Sequence, residues 1–381
     1  MPRRKGKSRR RIKDWQQRFR DADADSLDAD SAETLQPLRV KLPPNRPGTN
    51  LDETSVEQSP PGEETIAMVT GLFPGGAVVR IGAEDLLCRL AGTFRPPKGS
   101  SALAVGDDVA VALTHERHIS GEKEIDRQRT DGVILYRRPR RSALSRPQPT
   151  SGKRRRQYDD DAFEKVIAAN MDTLLIIASV RQPKIRPALI DRFCIVAERG
   201  EMKPVVVINK IDLGNPDKHL LAELKAGGLE VFLCSATTGK GLRKLLKALQ
   251  GRRSILAGAS GVGKSALVNA LVPGADQAVR QIRMKDQRGR HVTSAATLHE
   301  LPGGGLLVDT PGVRELAVEM EAAELTWYFP ELAELAPKCK FNNCTHTHEP
   351  DCAVIAAVED GKINTRRYQS YLRILGAITV K

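Results

Sequence analysis

The sequence predicts an α/β protein in three folded parts: a small N-terminal β-barrel, a mostly parallel sheet with helices on both faces, and a small metal-held helical segment at the C-terminus. Three observations predict it. Short apolar runs separated by glycine-bearing turns fill residues 64–135. Continuous apolar runs alternate with helical stretches over residues 165–320, as parallel strands buried on both faces require. Cys339, Cys344, His346 and Cys352 crowd into fourteen residues near the end.

A chain of 381 residues can form two or three domains, each burying its own core. Lys and Arg number 60 against 47 Asp and Glu, a net charge of +13, so an extended polyanion such as nucleic acid is the expected partner. No window approaches the ~20 apolar residues that span a bilayer, and no apolar core follows the Arg-rich start. No membrane association is expected, and the chain should be a cytoplasmic monomer. Cys88, Cys194 and Cys234 are scattered through apolar stretches and read as buried small hydrophobes.

Residues 1–62 run from a basic head (Arg3 to Lys13) through an acidic stretch (Asp21 to Asp30) to a Pro-rich connector. With little apolar content, this segment should be a disordered charged tail, either an RNA-gripping arm or a solvated extension. The barrel is placed at residues 63–146, with strands around Ile66–Val69, Ala77–Ile81, Leu86–Leu90, Val109–Leu113 and Gly132–Leu135. Five short strands suggest an antiparallel barrel, with the OB-fold as leading candidate and an SH3-like barrel also compatible. Two basic runs, Arg137-Arg138-Pro139-Arg140-Arg141 and Lys153-Arg154-Arg155-Arg156, are either solvated surface or phosphate contacts.

The α/β domain is placed at residues 147–325, with strands at Leu174–Ala178, Val205–Ile208, Val231–Leu233, Ser254–Ala257 and Leu306–Val308, each ending where a motif begins. Ligands of open α/β sheets sit beyond those carboxyl ends. Gly258-Ala259-Ser260-Gly261-Val262-Gly263-Lys264-Ser265 follows the fourth strand and leads into an apolar helix, the context a phosphate-binding loop needs. Its backbone N–H groups would cradle the β-phosphate, Lys264 would reach the β and γ oxygens, and Ser265 would offer a hydroxyl to Mg²⁺. Asp309-Thr310-Pro311-Gly312 would hold Mg²⁺ through Asp309 and meet the γ-phosphate through the Gly312 N–H, a contact that only triphosphate completes. Between them, Thr293 is the candidate for a second Mg²⁺ hydroxyl, with Ser294 as runner-up. Asn209-Lys210-Ile211-Asp212 suits guanine, because the Asp212 carboxylate accepts from N1–H and N2–H₂, and a carboxylate desolvated without those donors is penalised. Ser235-Ala236 would add a backbone contact to the base.

The guanine stretch precedes the phosphate loop, the reverse of the usual order, so the chain reads as a P-loop GTPase domain circularly permuted. Val313 stands where many GTPases carry a water-orienting glutamine. Valine cannot do this, so basal turnover should be slow, and His291 is the candidate for positioning water. The metal segment, placed at residues 326–381, offers three thiols and an imidazole to one structural zinc, with His348 as an alternative to His346. Tyr368, Tyr371, Leu372 and Leu375 share one helix face and read as core; Arg366 and Arg367 stay open between core and RNA.

The order barrel, Asn-Lys-x-Asp, Ser-Ala, phosphate loop, Asp-x-x-Gly and Cys/Cys/His/Cys resembles the RsgA/YjeQ family of circularly permuted GTPases over residues 63–381. The resemblance implies an OB-fold, a permuted GTPase domain and a zinc domain. It also implies GTP hydrolysis in late maturation of the small ribosomal subunit, stimulated by that subunit and coupled to release or a checkpoint, with rRNA as partner. A catalytic role for His291 is implied too. The family's switch usually reads Gly-x-His-Thr-Thr-Thr, whereas this chain has Gly289-Arg290-His291-Val292-Thr293-Ser294. Competing readings are an RNA-binding assembly protein with a nearly inactive nucleotide site and a GTPase acting on another RNA. The second switch (Asp309 to Glu315) lies close in sequence to the metal segment, which could couple nucleotide state to its orientation.

Overall fold

The computed structural model describes residues 65–96, 100–113, 130–147, 164–275, 296–310 and 320–379. The expected tail, the Lys153–Arg156 run, His291, Thr293, Ser294, Gly312 and Val313 lie outside the described residues.

Strands β1 (Thr65–Phe73), β2 (Gly76–Ile81), β3 (Glu84–Leu90), β4 (Asp108–Leu113) and β5 (Gly132–Arg137) close into a barrel of order β1-β2-β3-β5-β4, with β4 returning to β1. This is the OB-fold order. The expected antiparallel pairing fails at one seam, where β3 and β5 run parallel. Closure forces this: β4 lies antiparallel to β1, β5 antiparallel to β4, and β5 therefore enters beside β3 in the same direction. Val69, Val79, Cys88, Val109 and Ile134 fill the interior.

The basic run after β5 is divided by burial. Arg140 sends Nε to Asp107 Oδ1 at 2.7 Å and Nη2 to Asp107 Oδ2 at 2.9 Å, and Arg137 lies 3.8 Å from the same carboxylate. All three are buried. The expectation of a phosphate-binding run therefore fails for Arg137 and Arg140, which neutralise an interior Asp, and only Arg138 and Arg141 stay exposed.

Strands β6 (Ala143–Pro147) and β7 (Glu164–Ala169) pair as a ribbon that the sequence reading missed. Behind it, β8 (Thr173–Ser179), β9 (Lys203–Asn209), β10 (Glu230–Leu233), β11 (Arg253–Ala257), β12 (Thr297–Glu300) and β13 (Leu306–Asp309) form one sheet of order β10-β9-β8-β11-β13-β12. All neighbours are parallel except the edge pair β12/β13. β8 is buried throughout: Leu174, Ile176 and Ala178 enter one core layer, Leu175 and Ile177 the other. Burial of such side chains stabilises by roughly 1.5–3 kcal/mol each, which is why an uninterrupted apolar run occupies the centre. Helices α1 (Pro187–Arg199) and α2 (Lys218–Ala226) cover the first face, α3 (Leu242–Leu249) and α4 (Lys264–Leu271) the second.

The barrel docks at the start of the sheet strands, away from their carboxyl ends. Arg253 at the head of β11 reaches Asp108 at 3.2 Å, and Asn170 donates to Gly106 O at 3.0 Å. Arg80 of β2 also meets Glu300 of β12 at 2.6 Å.

After the one-turn helices α5 (Ala322–Leu325) and α6 (Pro330–Ala333), α7 (Ala353–Glu359) and α8 (Thr365–Thr379) build the C-terminal module. Its core joins Leu325, Phe329, Leu332, Val354, Tyr368 and Tyr371 to Ile195 of α1. The tyrosines are core, as expected. Arg366 and Arg367 are ion-paired: Arg366 Nη1 and Arg367 Nη1 lie 2.8 and 2.6 Å from the Asp191 carboxylate of α1, Arg366 also pairs with Glu223, and Arg367 reaches Glu331 at 2.6 Å.

Burial alone would push the Asp191 carboxyl up, but Arg367 and Arg366 outweigh it and hold it below its ordinary range. Asp191→Asn should therefore cost about 3 kcal/mol or more, the scale for removing one member of a buried charge cluster. Denaturant unfolding followed by Trp327 fluorescence measures it. The wild-type advantage should be full at neutral pH and vanish as pH falls through the depressed pKa, below ~3.9. An unchanged midpoint at neutral pH would show that Asp191 locks nothing.

Candidate nucleotide site and metal centre

The carboxyl ends of β8, β9, β11 and β13 meet at one sheet edge, and Asn209 at the end of β9 binds three motifs together. Its Nδ2 donates to Val262 O at 3.0 Å, and its Oδ1 accepts from Ala236 N at 3.1 Å. The Asn-Lys-x-Asp stretch, the glycine-rich loop and Ser235-Ala236 are thus drawn together at one side chain, although the chain visits them in reversed order. Lys210, in the left-handed region at φ 62°, sends Nζ to Gly261 O at 2.7 Å and to Gln182 O. Its aliphatic stem crosses between base loop and phosphate loop.

Glycine is required where the loops touch. A Cβ on Gly263 would sit 2.5 Å from Asn209 Nδ2, and Gly263 has φ +94°. A Cβ on Gly258 would lie 2.4 Å from Ile177 O. Gly263 leads directly into α4, so the positive end of that helix lies at the end of the glycine-rich loop. Lys264 Nζ curls back to Gly258 O at 2.7 Å and Ala259 O at 2.8 Å, held above the loop where a phosphate oxygen would sit. Ser260, Gly261 and Ser265 are exposed at the mouth of the loop, and Val262 is buried beneath it.

Asp309 ends β13 close enough to Lys264 for their charges to interact. Its carboxyl is pushed up by burial, and His299 and Lys264 oppose that shift. Asp309 offers hard carboxylate oxygens beside the Lys264 ammonium, the donor type that Mg²⁺ takes, and the exposed Ser265 follows Lys264 at the start of α4.

Two details differ from the sequence reading. Asp212 is exposed, on the one-turn 3₁₀ segment Ile211–Leu213. Its discrimination against adenine would have to come from desolvation by the base itself, not from a preformed burial. The Ala236 N–H, offered by the sequence to the base, is engaged by Asn209. Ser235 is buried and turns its loop, with Oγ accepting from Thr238 N at 3.1 Å.

Sequence reasoning missed two neighbours of the pocket. The Gln182–Pro183 segment after β8 supports Lys210 through the Gln182 carbonyl and is tied back by Ser179 Oγ donating to Pro183 O at 2.8 Å. Its position just beyond a carboxyl strand end was the available signal. His299 lies buried on β12, two positions out of register with Asp309 on the same face, and burial pushes its pKa down. The alternating Thr297, Leu298, His299, Glu300 carried too weak a pattern to reveal that strand.

The second constellation assembles Cys339, Cys344, His346 and Cys352 with all ligand atoms within 4.8 Å of one another. His346 Nδ1 lies 3.5 Å from the sulfurs of Cys339 and Cys352, which are 3.8 Å apart. A tetrahedron with Zn–S ≈ 2.3 Å and Zn–N ≈ 2.0–2.1 Å has edges of about 3.8 and 3.6 Å, so the donor set fits zinc. His348 instead is exposed and turns Nδ1 to Thr347 Oγ1 at 2.7 Å. Burial, first among several causes, pushes the Cys344 thiol up to about 12. Tyr368 donates to His346 O at 2.7 Å and Tyr371 to Thr345 O at 3.0 Å. Glu349 accepts from the N–H groups of Thr345, Thr347 and His348.

A model of the RsgA GTPase family matches residues 137–319. A protein of Chlorobaculum parvum named small ribosomal subunit biogenesis GTPase RsgA is 36% identical over 327 residues, covering 83% of this chain and 99% of the relative. A protein of Gemmatimonas aurantiaca with the same name is 38% identical over 280 residues, covering 72% and 84%. The crystal structure of YjeQ from Thermotoga maritima superposes with a TM-score of 0.61 at 29% identity, over 84% of this chain and 99% of that one. YloQ, described as a circularly permuted GTPase, gives 0.57 at 26% identity, over 83% and 95%.

Proposed function

The chain belongs to the RsgA GTPase family, and from that premise we propose that it hydrolyses GTP on the maturing small ribosomal subunit and couples hydrolysis to its own release or to a checkpoint. Asn209 carries the reading of the site: one side chain holds the base loop, Ser235-Ala236 and the phosphate loop together, as a single bound nucleotide requires. Asn209, Lys210 and Asp212 with Ser235 and Ala236 would take the guanine, and residues 258–265 the phosphates. Asp309, Ser265 and Thr293 would hold Mg²⁺, which supplies charge neutralisation to the β and γ oxygens. Gly312 would meet the γ-phosphate, and His291 would position water in place of the glutamine that Val313 replaces.

We assign residues 1–62 to a charged tail, 63–146 to the barrel, 147–325 to the GTPase domain and 326–381 to a zinc domain held by Cys339, Cys344, His346 and Cys352. rRNA would be gripped by barrel and zinc domain, by a cytoplasmic monomer. Among the described residues no helix is long and apolar enough to cross a membrane. The shared core of α1 and the zinc module, with Asp191 between Arg366 and Arg367, supports coupling to the nucleotide site through α1, since the Gln182–Pro183 segment leading into that helix touches Lys210.

Sedimentation with small or large ribosomal subunits, in GDP and in a non-hydrolysable GTP analogue, tests this together with phosphate release. The expected result is selective, nucleotide-dependent binding to the small subunit and faster phosphate release, with the acceleration lost in His291→Ala. Binding without acceleration would favour an assembly protein with an idle nucleotide site. No preference between subunits would favour another RNA substrate.

A further inference from the structure

From Val231 to Ala275 the chain carries seven Lys or Arg and no Asp or Glu. Four of these cations, Lys240, Arg243, Lys244 and Lys247, gather on and just before α3. All four are exposed, whereas Leu245 and Leu249 on the opposite side of the helix are buried in the second core layer. Among the described residues none of the four has an ion-pair or hydrogen-bond partner for its side chain.

Several other cations of the described residues are neutralised within the fold. Arg137 and Arg140 share Asp107, Arg253 pairs with Asp108, and Arg366 and Arg367 share Asp191. The α3 cluster is also placed against the interests of the isolated helix. Arg243 and Lys244 lie in the first turn, where the helix dipole disfavours cations, and Arg243 and Lys247 form a like-charge i,i+4 pair. An external polyanion would relieve both penalties.

We propose that the exposed face of α3, with Lys240, is a docking surface for an RNA phosphate backbone, carried by the GTPase domain itself and separate from the barrel and the zinc module. An anionic membrane fits less well, because interfacial helices insert an apolar face and that of α3 is already spent on the core. The surface adjoins the guanine loop: Ser235 N donates to Lys240 O at 2.9 Å, and Ala236 next to it is bound to Asn209. RNA seated there would bear on the loop beneath the base. Choosing RNA as the polyanion rests on the ribosomal function proposed for the chain.

The test is the variant R243A/K244A/K247A, with R243Q/K244Q/K247Q retaining side-chain length should the first fold poorly. Binding of a labelled single-stranded RNA is measured across a salt series, beside binding to small subunits and to phosphatidylglycerol vesicles. Affinity for RNA should fall on the order of tenfold, and the slope of log affinity against log salt should become shallower by about 2, at ~0.7 per lost phosphate contact. Small-subunit affinity should fall in parallel while intrinsic GTP turnover stays unchanged. Unaltered RNA affinity and slope would overturn the proposal, as would a loss confined to vesicles. If wild-type protein does not distinguish small from large subunits, the ribosomal reading fails, and the RNA salt slope still decides the surface.

Discussion

Lys264→Ala should abolish tight GTP binding and lower residual turnover by about 10²-fold or more, the scale for losing one donor aimed at developing charge. In this structure the ammonium is held by two loop carbonyls, Gly258 O and Ala259 O, so it is positioned before phosphate arrives and little reorganisation is needed on binding. The substitution leaves the elements that build the pocket in place, because Asn209 holds Val262 and Ala236 without involving Lys264. The thermal midpoint should therefore move little. Titration with a fluorescent GTP analogue and single-turnover phosphate release measure the effect. Wild-type affinity in the variant would mean that the loop from Gly258 to Ser265 does not carry the phosphates.

Loss of the metal should have the largest effect on stability. Elemental analysis should find one zinc per chain, and Cys352→Ser or strong chelation should remove it and unfold the C-terminal module. Zinc binding in small modules supplies about 10–16 kcal/mol of apparent folding free energy, and little in this module could replace it. The three thiols border the same apolar cluster as Phe329, Val354 and Tyr371, so an ion held by them would cross-link a core built from one-turn helices and two longer ones. Near-UV circular dichroism should report loss of the packed tyrosines, while nucleotide binding at the sheet edge persists. Protein purified without zinc and indifferent to chelators would refute the structural role.

Some of this was written plainly in the chain. The run Leu174–Ala178 is apolar without interruption because β8 is covered on both faces, and short range is enough to read that. Gly263-Lys264-Ser265 after an apolar strand, and four metal-type residues within fourteen, likewise state their chemistry through spacing. Other features depend on partners that no local pattern announces. Arg137 and Arg140 read as surface charge until Asp107, some thirty residues earlier, is found beneath them. The edge strand β12 is too short and mixed to declare itself, and its buried His299 gains meaning only beside Asp309.

What the sequence by itself determined is the set of parts: apolar strands, the glycine-rich loop ending in Lys264-Ser265, the Asn-Lys-x-Asp stretch, the cysteine–histidine cluster, and their permuted order. Those follow from residue type and spacing, which act over a few bonds or one turn. Only the tertiary structure decided that Asn209 joins three of the parts, that β3 meets β5 in parallel, and which cations are neutralised inside the fold and which, on α3, are left for solvent or a partner. Those outcomes are set by burial and by pairing across long stretches of chain, where the cost of an uncompensated charge or an unpaired polar atom is resolved by contacts that linear order does not encode.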